Sequence, residues 1–131
     1  MTILVDSSVC IGHLRGERAS TAFLEQQLGG DSDLRVSAVT WAELLAGERL
    51  DAAGEAAVRD LLGLFRCEPV TGDVGEAAGR LLRTLARSKG LRLADALIAA
   101  TALERDCPLA TLDVRHFATV PGLVLAMPFA G

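Results

Sequence analysis

Four acidic side chains, far apart in the sequence, each stand beside the end of a predicted strand or the start of a predicted helix. They are Asp6, Glu43, Asp95 and Asp113. Like charges that come close repel and raise each other's pKa, so a group of carboxylates needs a cation. Hard divalent ions such as Mg²⁺ and Mn²⁺ take carboxylate ligands and leave waters and phosphate oxygens to complete the shell. These residue types therefore indicate a divalent metal site.

Asp95 is unusual because its surroundings are apolar. From 93 to 103 only Asp95 and Thr101 are polar, which predicts a helix that is buried on every face. A buried carboxylate costs several kcal/mol unless it is paired, hydrogen-bonded or bound to a cation. The positive end of the helix dipole returns only about 1 kcal/mol of that cost.

Each acid also has a structural alternative. Asp6, Asp95 and Asp113 can cap helices, and Glu43 occupies the last position of a capping box that begins at Thr40. Taken singly, each residue is more often structural than catalytic. Together, the four acids at one edge of a sheet are hard to explain by capping.

The predicted elements bring the acids to that edge. Strands are predicted over 2–5, 34–39, 66–70, 108–111 and 123–126, and helices over 9–14, 19–28, 40–50, 54–65, 73–88, 91–103 and 114–119. Strands separated by helices predict an α/β fold with a mainly parallel sheet that is covered on both faces. Pro69 places the third strand near an edge of the sheet. Ligands of such sheets bind beyond the carboxyl ends of the strands, where these acids fall.

Composition sets the class of protein. The chain has 131 residues, half of them hydrophobic, and we expect one domain over residues 1–131. A net charge of −4 argues against a general nucleic-acid coat. We expect neither a membrane span nor a signal peptide, and hence a cytoplasmic protein. Cys10, Cys67 and Cys107 lie in apolar contexts, so we expect them reduced and buried.

Four segments together resemble a known family. They are VDSSVCIGHL, SAVTWAELLAG, LRLADALIAATAL and LATLDVRHF. In this order they resemble the PIN-domain ribonucleases, and within that family the VapC toxins of bacterial toxin–antitoxin pairs. The resemblance implies a three-layer α/β/α sandwich and an endoribonuclease that depends on Mg²⁺ or Mn²⁺. It implies Asp6 and Asp95 as direct metal ligands, with Glu43 and Asp113 acting directly or through water.

The resemblance carries further expectations. Ser8 and Thr111 match hydroxyl positions that orient the carboxylates, and Asp113 keeps a carboxylate where the family often has Asn. The products would carry a 5′-phosphate and a 3′-hydroxyl, and the substrate would be a tRNA or rRNA. The resemblance also implies a homodimer and a cognate antitoxin that covers the acids. The amphipathic segment 22–28 could line an apolar groove for it, although core packing explains Phe23 and Leu24 as well.

Basic residues cluster before and after the acids. Residues 77–94 contain five basic side chains and no acid, namely Arg80, Arg83, Arg87, Lys89 and Arg92. The spacing of the first three predicts one stripe on a long helix that leads toward Asp95 and could hold RNA phosphates. Arg115 and His116, beside Asp113, are further candidates for phosphate contact. The alternative is a solvated helix face.

Other functions also fit part of the sequence. His13 and His116 could act as base and acid in metal-independent RNA cleavage. The chain could instead be a catalytically silent PIN-like module that binds RNA or serves as a scaffold. A nuclease that cleaves DNA by the same metal chemistry is a further alternative, because no residue is seen to read a 2′-hydroxyl.

Overall fold

In the computed structural model, which describes residues 1–47 and 50–126, strands and helices alternate along the chain. The strands are β1 Thr2–Val5, β2 Asp33–Ser37, β3 Arg66–Glu68, β4 Leu109–Ala110 and β5 Leu125–Ala126. They form a sheet in the order β3-β2-β1-β4-β5, and every neighbouring pair is parallel. The predicted parallel sheet is therefore confirmed, and so is the edge position of the third strand.

Helices cover both faces of this sheet. They are α1 Ser7–Leu14, α2 Arg18–Leu28, α3 Ala38–Leu45, α4 Ala52–Leu62, α5 Gly72–Lys89, α6 Leu93–Glu104 and α7 Val114–Phe117. The alternation of side chains along β1 shows how the layers form. Ile3 and Val5 enter a core with α1 to α4, whereas Leu4 enters a second core with α5 to α7. The α/β/α sandwich is confirmed.

The order of the strands creates a switch point between β1 and β4. From β1 the chain adds β2 and β3 on one side, and then crosses to add β4 and β5 on the other. Helices that leave the carboxyl ends of β1 and β4 diverge there, and ligands of open α/β sheets bind in the resulting crevice. Asp6 follows β1 directly, and Thr111 follows β4 directly.

Helix α3 begins earlier than predicted. The Ser37 hydroxyl accepts a hydrogen bond from the Val39 N–H (3.0 Å), so β2 ends at Ser37 and the helix begins at Ala38. This cap satisfies a free N–H of the first turn and outweighs the strand preference of Val39 and Thr40. The helix ends at Leu45. Its predicted extension to residue 50 includes residues 48 and 49, which lie outside the described ranges.

The hairpin of α5 and α6 places Asp95. Helix α5 ends at Gly90, whose φ of 69° is the left-handed conformation that glycine adopts without strain. Helix α6 then starts at Leu93 and buries Ala96 and Ile98 in the second core. The predicted buried helix is confirmed from Ala96 onward, with Asp95 in its first turn. Its start is wrong, because the helix begins at Leu93 rather than Leu91, and Leu93 is 63% exposed.

One prediction about the cysteines is wrong. Cys10 is buried and Cys107 is half-buried, but Cys67 is exposed because it lies on the edge strand β3. All three are free thiols. None of the helices in the described ranges has the length and apolar character that crossing a bilayer requires.

Candidate active site

Asp6 stands where β1 ends, inside the switch-point crevice. Its N–H donates to the Ala110 carbonyl oxygen of β4 (2.8 Å), which fixes the backbone between the two strands. The side chain is 5% exposed. Its Oδ2 accepts hydrogen bonds from Ser8 Oγ (2.7 Å) and Thr111 Oγ1 (2.8 Å). Two hydroxyls therefore hold this carboxylate in one orientation.

The charge of Asp6 is not compensated by the described part of the chain. Burial raises the pKa of Asp6 above its ordinary value, and the hydrogen bonds from Ser8 and Thr111 offset only part of that rise. No lysine, arginine or histidine of residues 1–47 and 50–126 forms an ion pair with it. A buried carboxylate in this state gains from an added cation.

The same hydroxyls position Asp113. Thr111 Oγ1 accepts from the Asp113 N–H (2.9 Å), and Ser8 Oγ accepts from the Leu112 N–H (3.0 Å). The segment after β4 is thereby tied to the start of α1. Asp6 and Asp113 both occupy helix N-cap positions, but neither side chain makes a capping hydrogen bond. Capping therefore does not explain these two acids.

Glu43 reaches the site from α3 through the hydroxyl of Ser7, which is not among the predicted site residues. The Ser7 hydroxyl donates to Glu43 Oε1 (2.6 Å) and lies 2.9 Å from Thr40 Oγ1. The predicted capping box of Thr40 and Glu43 is wrong, because Ser37 caps α3 and Glu43 lies in its second turn. The Ser7 hydroxyl thus binds Glu43, and the Ser8 hydroxyl binds Asp6. The sequence signal for this role is the pair of serines, Ser7 and Ser8, directly after the acid that ends the first strand.

Asp95 contacts different residues from the other three acids. Its Oδ2 lies 3.1 Å from His116 Nε2 and 3.6 Å from Arg92 Nε, and its side chain is 15% exposed. Arg92, not Asp95, is the N-cap of α6. The hydroxyls of Ser8 and Thr111 thus link Asp6 with Asp113. Glu43 is bound by Ser7, the residue next to Asp6, whereas Asp95 contacts α7. Among the described residues, no three His, Cys, Asp or Glu side chains form a group that could hold a metal.

The predicted RNA-binding residues fall into two sets. Arg80, Arg83 and Arg87 are exposed along α5, as is Arg92 before α6. The other set lines a cleft of about 300 Å³ beside the acids, formed by Lys89, Asp113, Arg115, His116 and Thr119. Lys89 at the end of α5 and two residues of α7, Arg115 and His116, therefore line one cleft with Asp113.

The two histidines lie in different clefts. His13 Nδ1 is 2.8 Å from Thr21 Oγ1, and His13 lines a cleft between α1 and α4. His116 contacts Asp95 and lines the cleft beside Asp113. This separation disfavours a base and acid pair. Phe23 and Leu24, considered as groove residues for an antitoxin, are buried in the first core, so core packing explains them.

The donor set suits a hard cation. Asp6, Glu43, Asp95 and Asp113 offer only carboxylate oxygens, and hydroxyls orient Asp6 and Glu43. Mg²⁺ and Mn²⁺ prefer such oxygen ligands. The buried carboxylate of Asp6 is the strongest reason to expect a cation.

Comparison with known proteins identifies the family. The model of the PIN domain family matches residues 3–123. The chain is 44% identical over 116 residues to Ribonuclease VapC10 of Mycobacterium tuberculosis, covering 88% of this chain and 85% of that protein. It is 36% identical over 121 residues to Ribonuclease VapC19 of the same organism, covering 92% and 95%. A chain of a toxin-antitoxin complex from Klebsiella pneumoniae superposes with a TM-score of 0.73 at 27% identity, covering 93% of this chain and 95% of that one. The chain therefore belongs to the PIN-domain family, and its relatives within that family are VapC proteins.

Proposed function

We propose that this protein is a metal-dependent endoribonuclease and the toxin of a toxin–antitoxin pair. The observation that carries the proposal is the buried carboxylate of Asp6 at the switch point. Two hydroxyls orient it, and no cationic side chain of residues 1–47 and 50–126 neutralises it. The relatives named Ribonuclease VapC10 and Ribonuclease VapC19 support RNA as the substrate. The sheet topology supports catalysis at this edge.

The residues divide the work of the reaction. Asp6 and Asp95 would hold Mg²⁺ or Mn²⁺, with Glu43 and Asp113 as ligands directly or through water. When bound, such an ion makes a water more acidic and neutralises charge on the scissile phosphate. Ser8 and Thr111 fix the orientation of Asp6, and Ser7 does the same for Glu43. Preorganised oxygens of this kind lose little free energy to reorientation during the reaction.

RNA would approach along α5. Arg80, Arg83 and Arg87 are exposed on one stripe of that helix, which ends at Lys89 beside the acidic site. Arg92 lies between α5 and α6 and contacts Asp95. Basic side chains that follow a nucleic-acid backbone supply affinity without regard to sequence. This stripe compensates locally for the negative net charge of the protein.

The toxin assignment rests on the solved relatives. The structure from Klebsiella pneumoniae is a toxin-antitoxin complex, and a chain of a VapBC toxin-antitoxin structure from Mycobacterium tuberculosis superposes with a TM-score of 0.68 at 28% identity. We infer a cognate antitoxin that covers the acids, and a homodimer. Expression of the protein alone should arrest growth of a bacterial host, and Asp95→Asn should abolish that arrest at equal protein levels.

Cleavage of a total tRNA and rRNA pool tests the enzyme directly. We expect cutting by purified protein with Mg²⁺ or Mn²⁺, none in EDTA, and none by Asp95→Asn. Asp60→Asn is the matched control, because it removes an exposed carboxylate on α4 and should leave cleavage unchanged. A parallel DNA substrate separates ribonuclease from deoxyribonuclease activity.

The alternatives give different results in the same assay. Cutting that persists in EDTA would contradict the carboxylate and metal mechanism and would favour metal-independent cleavage by His13 and His116. Folded protein that binds RNA without cutting it under any metal would favour a silent RNA-binding module. Cutting of DNA in preference to RNA would overturn the substrate class.

A further inference from the structure

We propose that the cleft beside Asp113 holds a backbone phosphate that flanks the scissile one, with Lys89 and Arg115 as its ligands. This inference rests on the proposed ribonuclease function. The sequence predicts seven side chains as candidates for contact with RNA phosphates, and the proposal assigns one phosphate to this cleft. It also separates this place from the arginine stripe on α5.

The fold brings the two cations together from separate elements. Lys89 is the last residue of α5, because Gly90 ends the helix in a left-handed conformation. Arg115 lies in α7, which begins directly after Asp113. The two side chains line a cleft of about 300 Å³, at the lower end of the ~300–1,000 Å³ range of small-ligand pockets. A phosphate and part of its sugar fit such a volume.

The charge of the cleft favours an anion. Lys89 and Arg115 contribute two positive charges to the lining and Asp113 one negative charge, so the lining is positive even with His116 neutral. Neither cation forms an ion pair with another residue in the described ranges. Both are exposed, so they can reach a phosphate without breaking an existing contact.

The other two polar residues of the lining shape the cleft. His116 Nε2 contacts Asp95 (3.1 Å), and Thr119 Oγ1 donates to the His116 carbonyl oxygen (2.8 Å). These bonds fix the end of α7 against α6. An RNA strand is continuous, so a strand that presents one phosphate to the acids must place a neighbouring phosphate close by. The cleft borders the acids through Asp113, which lines it, and through His116, which contacts Asp95. The neighbouring phosphate would meet the positive charge of Lys89 and Arg115 there.

Binding of RNA tests the charge of the cleft. The probe is a fluorescently labelled single-stranded RNA of mixed sequence, about 20 nucleotides long, and the protein carries Asp6→Asn to prevent cleavage. Adding Lys89→Gln and Arg115→Gln should weaken binding and reduce the slope of log affinity against log salt by about 0.7, the amount expected for one lost phosphate contact. Arg15→Gln with Arg18→Gln removes two exposed charges elsewhere and should leave the slope unchanged. An equal change in both pairs, or none in the first, would overturn the proposal.

Cleavage kinetics locate the phosphate. In an RNA oligonucleotide that the wild-type protein cuts, single phosphates are replaced in turn by neutral methylphosphonates. One flanking replacement should raise KM about 10-fold with kcat little changed, and the same replacement should have no further effect in the Lys89→Gln/Arg115→Gln variant. Independent effects at every position would contradict a single flanking site.

The two proposals fail in different ways. If the wild-type protein cuts no RNA but the binding slope still falls in the first pair alone, the ribonuclease function fails and the phosphate cleft stands. If the wild-type protein cuts RNA and the slope does not change, the cleft fails and the ribonuclease function stands.

Discussion

Two buried carboxylates at strand ends differ in how their charge is compensated: Asp6 follows β1, and Glu68 ends β3. Asp6 is 5% exposed and Glu68 is 4% exposed. Glu68 accepts from two arginines, Arg35 through Nη1 and Arg105 through Nε (2.9 Å), so its charge is neutralised within the fold. Asp6 accepts from two hydroxyls, which orient the carboxylate but leave its charge in place.

This difference separates a structural acid from a candidate catalytic one. Removing either partner of a buried ion pair destabilises the fold, because the remaining charge is buried without compensation. A buried carboxylate without a cation destabilises the fold, and such local cost is typical of sites where charge serves binding or catalysis. The uncompensated charge of Asp6 is thus the structural feature that indicates a functional site here.

The largest effect is expected from Asp6→Asn. The amide keeps the shape of the side chain but removes the charge, so we expect cleavage to fall by about 100-fold or more. The free energy of unfolding should rise by about 1 kcal/mol in metal-free buffer, because a desolvated charge is gone. Cleavage assays and urea unfolding of the same preparations measure both. A variant that loses both activity and stability would mean that the charge of Asp6 supports the fold.

Metal binding sharpens the comparison. At a concentration 100 times its dissociation constant, Mg²⁺ or Mn²⁺ should stabilise the wild-type protein by about 2.7 kcal/mol. Thermal unfolding with and without the ion measures this shift. Asp6→Asn should lose most of it, whereas Glu68→Gln should keep all of it. An equal shift in the three proteins would place the ion away from Asp6.

Glu68→Gln should show the reverse of Asp6→Asn. Removing the shared acceptor leaves Arg35 and Arg105 facing an amide, and we expect unfolding to become easier by roughly 2 kcal/mol. The value lies below that for a fully buried pair because the side chains of Arg35 and Arg105 are 21% and 41% exposed. Cleavage under conditions where the variant is folded should stay within about 2-fold of wild type. A large loss of cleavage would show that the two regions are coupled.

The sequence predicts one of these two regions better than the other. Asp6 and Asp113 are visible because each stands at a boundary between a strand and a helix, a local pattern that hydrophobic periodicity reveals. The network of Glu68 is not visible, because Arg35 and Arg105 lie 33 and 37 residues away and no local spacing connects them. Arg35 reaches Glu68 because β2 and β3 are neighbouring strands, and Arg105 reaches it from the end of α6.

The same limit applies inside the candidate site. Thr111 binds Asp6 across 105 residues, and only the resemblance to PIN domains pointed to it. A serine directly after a strand commonly caps the next helix, so the local pattern does not connect Ser7 with Glu43, 36 residues away. The sequence predicts the start of α3 two residues too late, because Ser37 rather than Thr40 provides the cap. Element types were thus predictable, whereas hydroxyl partners depended on tertiary contacts.

The smallest expected effect concerns Asp33, which extends the compensated network at the start of β2. Arg35 donates to Asp33 Oδ2 through Nη2 (2.6 Å), and this hydrogen bond lowers the pKa of Asp33. A lowered pKa in the folded state gives stability that is present above the unfolded pKa of about 3.9 and is lost as pH falls through the folded value. Asp33→Asn should therefore flatten the acid side of the stability profile. The effect should shrink at high salt, because the side chain is 38% exposed.

Urea midpoints measured from about pH 3 to pH 7 test this, with Asp31→Asn as the control that removes a neighbouring exposed carboxylate. An identical acid profile in Asp33→Asn and wild type would contradict the role of Arg35. Asp6 has the opposite sign, since its raised pKa means that its contribution is present at low pH and is lost as pH rises. Asp33→Asn and Asp6→Asn should therefore change the dependence of stability on pH in opposite directions. The reason is that Asp33 is paired with Arg35, whereas Asp6 has no cationic partner among the described residues.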